Sequence, residues 1–129
     1  MDERGPADRL RVRLRRDLTA AMKARRSEQV SAIRTLMAAI DNAEAAGVGS
    51  PASPTSPSSA DFAGALAGLA SGDAPRRELN EADLEELLDA EITDRREQAE
   101  EFEDLGRTDE ALRLRDQAAV IRRYREGLD

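Results

Sequence analysis

Residues 80–107 read NEADLEELLDAEITDRREQAEEFEDLGR, and through them Leu84, Leu87, Leu88, Ile92, Ala99 and Phe102 recur on one line. Steps of three, four and seven residues along that line describe one apolar face of an α-helix. Arg95 falls on the same line, where an apolar residue is expected. Asn80 has the chemistry of an N-cap, and Glu81 and Asp83 follow in the first turn, where the helix dipole favours acids. Gly106 supplies the stop, so the helix is expected to run to Leu105. Beyond it Thr108 is expected to cap a further helix, with Asp109 and Glu110 in its first turn and Ala111, Leu114, Ala118 and Ile121 facing inward. The link Gly106-Arg107-Thr108 leaves room only for a reversal, so residues 80–129 read as an antiparallel helical hairpin.

Upstream, residues 47–79 change character. Pro51, Pro54, Pro57 and Pro75 stand among many Ser and Gly residues, and such a composition predicts a disordered linker. Phe62, Leu66 and Leu69 fall at helical spacing within it, but Gly64 and Gly68 flank them and favour plain disorder. Before the linker, Leu10, Leu14, Leu18, Ala21 and Met22 mark a helix over about 7–25. Ser27 then reads as the cap of a second, with Val30, Ile33, Leu36, Met37 and Ile40 on one face and Gly47 as its stop. The short polar break between them predicts another antiparallel hairpin, residues 1–46, with Leu18 and Met22 facing Val30 and Ile33. The expected fold is all-α: a four-helix domain made of two antiparallel hairpins joined by a disordered linker. Neither hairpin has enough apolar surface to be stable alone.

Composition agrees and narrows the function. The chain has 129 residues, no Cys and no His, so thiolate chemistry, disulfides and the commonest general base are excluded. Neither a secretory h-region nor the roughly 20 apolar residues of a membrane span occurs, and the expectation is a cytoplasmic protein without membrane contact. Net charge is −7, unevenly spread: residues 1–26 hold nine Lys and Arg against four acids, and residues 80–110 three against fourteen. These opposite stretches dock on each other, or they are ordinary solvated surfaces.

Among possible sites, Glu97, Glu100, Glu101, Glu103 and Asp104 crowd two turns but radiate around one helix. They read as a solvated face, and neither a metal ligand nor a cofactor is assigned. Arg95 is expected either to pair with an acid such as Glu28 or Asp41 or to lay its stem along the apolar seam with its head in water. Arg11, Arg15, Arg16 and Lys23 form the candidate RNA-contacting arm, since phosphate contact requires such charge. No aromatic residue lies nearby to stack a base.

Two stretches, AMKARRSEQVSAIRTLMAAIDNAE and EITDRREQAEEFEDLGRTDEALRLRDQAAVIRRYREGL, resemble the first and second hairpins of the bacterial YqeY family, including its RR, EEF and LGR elements. The resemblance covers about half of the chain. It implies a four-helical domain, with kinship to the GatB subunit of the glutamine-dependent tRNA amidotransferase. After Tyr124 the chain lacks the Leu-Pro step into the family's three-helical tail, so only the four-helical part is expected here. The family label, carbon–nitrogen ligation with glutamine as amide donor, comes with the resemblance; the residues supply neither a Cys nucleophile nor a glycine-rich phosphate loop. The matching positions Arg34, Arg95, Arg96, Glu101, Phe102, Gly106 and Arg107 are the candidate shared surface. The function expected is a non-catalytic accessory or binding module linked to tRNA amidation, with amidotransferase subunits or weakly held tRNA as partners. The alternative is a structural adaptor between proteins, unrelated to tRNA.

Overall fold

In a computed structural model, which describes residues 4–46 and 78–128, the chain forms four α-helices and, among those residues, no strand. They are α1 (Pro6–Lys23), α2 (Ser27–Ala46), α3 (Glu81–Asp104) and α4 (Thr108–Glu126). The all-α class and the four helices are as the periodicity predicts. Most of the expected linker, residues 47–77 with Phe62, Leu66 and Leu69, lies outside the described residues, as does Gly47.

Two of the helices start for a clear local reason. Pro6 opens α1, where its missing N–H costs nothing and its fixed φ suits the first turn. Asn80 caps α3 with a reciprocal pair: its side chain accepts from the Asp83 N–H at 2.8 Å, and Asp83 accepts from the Asn80 N–H at 3.0 Å. That is a capping box with Asp in the place usually held by Glu or Gln. Leu79, expected as the last linker residue, is instead part of the core at 4% exposure. It precedes the cap, and Leu84 sits at the fourth helical position, so the two occupy the places of a hydrophobic staple. Thr108 is not a cap. Arg107 takes that place without a side-chain hydrogen bond, and Ser27 is likewise the first residue of its helix.

The two reversals share one device. At the end of α1 the Arg26 N–H donates to the Ala21 carbonyl at 3.0 Å and the Arg25 N–H to Met22 at 3.2 Å. At the end of α3 the Arg107 N–H donates to Phe102 at 2.8 Å and the Gly106 N–H to Glu103 at 3.0 Å. Both are Schellman turns, which need a left-handed residue just past the cap. Gly106 supplies it with φ +79, and Arg25 with φ +57. The helices therefore end at Lys23 and Asp104, slightly short of the expected Arg25 and Leu105.

The core draws on all four helices: Leu10, Leu14, Ile33, Leu36, Ile40, Leu84, Leu88, Ile92, Ile121 and Tyr124 are all buried in one cluster. Within the hairpins α3 and α4 pair more closely than α1 and α2, and α2 lies against α4. Ala99 and Ala111 are buried but stand outside the shared cluster, so the far end of the α3–α4 hairpin packs on itself through small side chains. Met22 lies at the rim of the α1–α2 contact rather than inside it, its sulfur reached by Arg34 of α2. It is 51% exposed, and Ala21 takes the inner position.

Candidate functional site

Three clusters of polar side chains tie the helices together, and they divide the arginines into occupied and free. On α1, Arg11 is drawn inward. Its guanidinium donates to Asp41 at 2.6 Å and to Asp8 and Glu44 at 3.3 Å, with a further short contact to Glu44. The Arg11 and Glu44 side chains are only 15% and 10% exposed. The hydrogen bond to Glu44 raises the Arg11 pKa above its ordinary value, against the opposing effect of burial. Arg11 thus ties α1 to α2, whereas Arg15, Arg16 and Lys23 of the same candidate arm are exposed.

The second cluster resolves the odd position of Arg95. Its side chain is 9% exposed and engaged through two of its three nitrogens: Nε donates to Gln117 at 3.2 Å, and Nη1 donates to the Glu91 carbonyl at 3.2 Å and carboxylate at 2.7 Å. Gln117 in turn donates to Glu28 at 2.9 Å. A direct pair of Arg95 with Glu28 or Asp41 does not form. Gln117 carries the link to Glu28 across three helices, and Asp41 belongs to Arg11. Arg95 is therefore a buried register element rather than a residue with its head in water.

A third cluster went unread in the sequence. The Tyr124 hydroxyl donates to Asp17 at 2.5 Å, and the Arg13 guanidinium lies over the Tyr124 ring, 4.8 Å from its centre. Arg13 also packs where a side chain on Gly127 would stand: a Cβ there would lie 2.6 Å from its Nη1. An aromatic residue near the end of α4 and an Arg-rich α1 were the available signals, but nothing in their spacing pairs them.

The remaining residues of the candidate shared surface lie at the outside. Arg34 is exposed and its nearest partner is the Met22 sulfur at 3.9 Å. Phe102 is half-buried, while Glu101, Gly106 and Arg107 are exposed around the hairpin tip. Leu105, 70% exposed, and Leu112, 51% exposed, add apolar surface to that end. Arg107 makes a loose ion pair to Glu110 at 3.7 Å. Arg96 points away from this tip into the groove between α3 and α4. The candidate surface residues do not converge on one point: Phe102, Glu101, Gly106 and Arg107 group at the tip, Arg95 is internal, and Arg34 and Arg96 lie elsewhere.

No group of three or more acids among the described residues is placed to hold a metal ion, and none of their helices is long and apolar enough to cross a membrane. Comparison of the chain with protein-family models, curated proteins and solved structures yields no match.

Proposed function

We propose that the chain is a non-catalytic helical binding module of the YqeY kind, accessory to glutamine-dependent tRNA amidation, and that it docks on its partner through the tip of the α3–α4 hairpin. The observation that carries the docking is the tip itself. Leu105 and Leu112 stand exposed there beside Phe102 and Arg107, at the end of the hairpin that packs on itself. Apolar side chains rimmed by Arg and acids are the composition of a protein contact patch. The same end carries the EEF and LGR elements on which the family resemblance rests.

A role in the ligation chemistry itself has less support from the residues. Glutamine amide cleavage requires an activated nucleophile, and the chain has neither Cys nor His. On α1, contact with tRNA falls to Arg15, Arg16 and Lys23, because Arg11 is already committed to carboxylates.

The test is co-purification of the tagged full chain from its own cell. Amidotransferase subunits are expected in the eluate of the unmodified chain and absent from that of Leu105→Asp, Leu112→Asp. A reproducible partner set without amidotransferase subunits or tRNA overturns the amidation link and leaves the adaptor reading, which the apolar tip also supports.

A further inference from the structure

The outer face of the second hairpin holds a feature that the docking reading does not use. A groove of about 420 Å³ runs between α3 and α4, walled by Arg96, Arg115, Arg122 and Arg123 and floored by Ala118 and Ala119. Its size falls within the range of about 300–1,000 Å³ usual for small-molecule sites. Four guanidiniums against two carboxylates, Glu100 and Glu126, make it locally cationic on a chain of net charge −7.

The arginines differ in what they already hold. Arg115 is paired with Glu103, and Arg122 contacts Glu126 at 3.4 Å with both side chains more than half exposed, a weak pair that a better acceptor displaces. The side chains of Arg96 and Arg123 make no ion pair or hydrogen bond among the described residues. For Arg123 the positions four before and four after are Ala119 and Gly127, and Glu126, three residues on, is held by Arg122. Arg96 does have Glu100 four residues on, lining the same groove, yet the two do not pair. Other arginines among the described residues, such as Arg15 and Arg113, are unpaired too; Arg96 and Arg123 differ in lining one groove from facing helices above an alanine floor.

We infer that this groove binds a phosphate-bearing ligand, with Arg96 and Arg123 as its anchors and Arg122 recruited from Glu126. The planar fork of Arg matches phosphate oxygens in paired, charge-assisted hydrogen bonds, and the short alanine side chains let the anion approach the helix surface. More than one cation along the trough favours a ligand with several phosphates, either the free polyphosphate tail of a nucleotide or the backbone of a nucleic-acid strand. The inference rests on the groove alone and stands or falls independently of the amidation reading.

Titration of the full chain with tripolyphosphate, and separately with a fluorescent single-stranded RNA oligonucleotide at about 50 mM salt, tests it. At least one probe is expected to bind, and Arg96→Gln with Arg123→Gln to weaken that binding about tenfold or more, while Arg9→Gln with Arg113→Gln, outside the groove, leaves it within about twofold. Melting curves followed by circular dichroism check that both double variants remain helical. Binding of both probes, with RNA displacing tripolyphosphate, assigns the site to a nucleic-acid backbone; binding of tripolyphosphate alone assigns it to a free polyphosphate. Absence of binding by either probe, or equal loss in the two double variants, overturns the inference.

Discussion

Tyr124 and Asp17 join the last turn of α4 to the middle of α1 by a 2.5 Å hydrogen bond, although 107 positions separate them in the chain. Burial first, and the Asp17 carboxylate second, raise the Tyr124 pKa above its ordinary value of 10, while Arg13 and Arg16 pull it down. A folded-state value above the unfolded one means that the contribution is complete below about pH 10 and is lost as pH rises through the folded value. Tyr124→Phe should therefore cost about 1–2 kcal/mol near neutral pH. The difference between the two proteins should shrink as alkali ionises the tyrosine. Denaturant midpoints measured from about pH 8 to pH 12 check this, and a constant difference across the range would contradict it.

The two Schellman turns make a matched comparison. Gly106→Ala places a Cβ in open space, so its cost is conformational only, about 1 kcal/mol at φ +79. Arg25→Gly should act in the opposite direction and stabilise by about 0.5–1 kcal/mol, since Arg25 holds the same left-handed position at φ +57 with a side chain attached. Urea unfolding of both variants gives the two signs. A destabilised Arg25→Gly would mean that the exposed arginine has a structural contact of its own.

Arg95 offers a test of buried charge. Arg95→Met fills the space with an apolar chain and leaves behind Glu91, which at 23% exposure reaches water, so it should cost about 1–2 kcal/mol. Glu91→Ala removes the 2.7 Å carboxylate and leaves the cation partly buried with a neutral carbonyl and amide, which should cost about 2–3 kcal/mol. The order of the two losses in equilibrium unfolding is the observable.

Leu88→Ala and Ile33→Ala should each destabilise by about 2–5 kcal/mol, because both side chains are fully buried and each truncation opens a cavity. Losses below about 0.5 kcal/mol at either site would place that helix face wrongly.

How much of this was readable in the sequence follows from the range of each interaction. Helix number, the stripe Leu84, Leu88, Ile92 and Ala99, the cap at Asn80 and the stop at Gly106 depend on residues a few positions apart, and periodicity and capping chemistry report those directly. Leu79 was assigned to the linker because its role depends on the Asn80 cap that follows it. Met22 and Ala21 are both compatible with a 3.6-residue stripe, and only the position of α2 selects between them. The site clusters are mostly long-range. Arg11 with Glu44, Gln117 with Glu28, and Tyr124 with Asp17 pair across helices, and charge type alone does not distinguish an arginine facing solvent from one drawn onto a neighbouring carboxylate. For the same reason Arg11 stood beside Arg15 and Arg16 as an equal, and the free pair Arg96 and Arg123 was not distinguished from its neighbours.

The central claim is that this bundle acts through binding and has no turnover of its own, and ammonia release from glutamine measures that most directly. The purified chain, incubated with glutamine, ATP and charged tRNA, is expected to release no ammonia above the rate without protein. Release that appears only when amidotransferase subunits are added agrees with the accessory role. Ammonia released by the purified chain alone would contradict it.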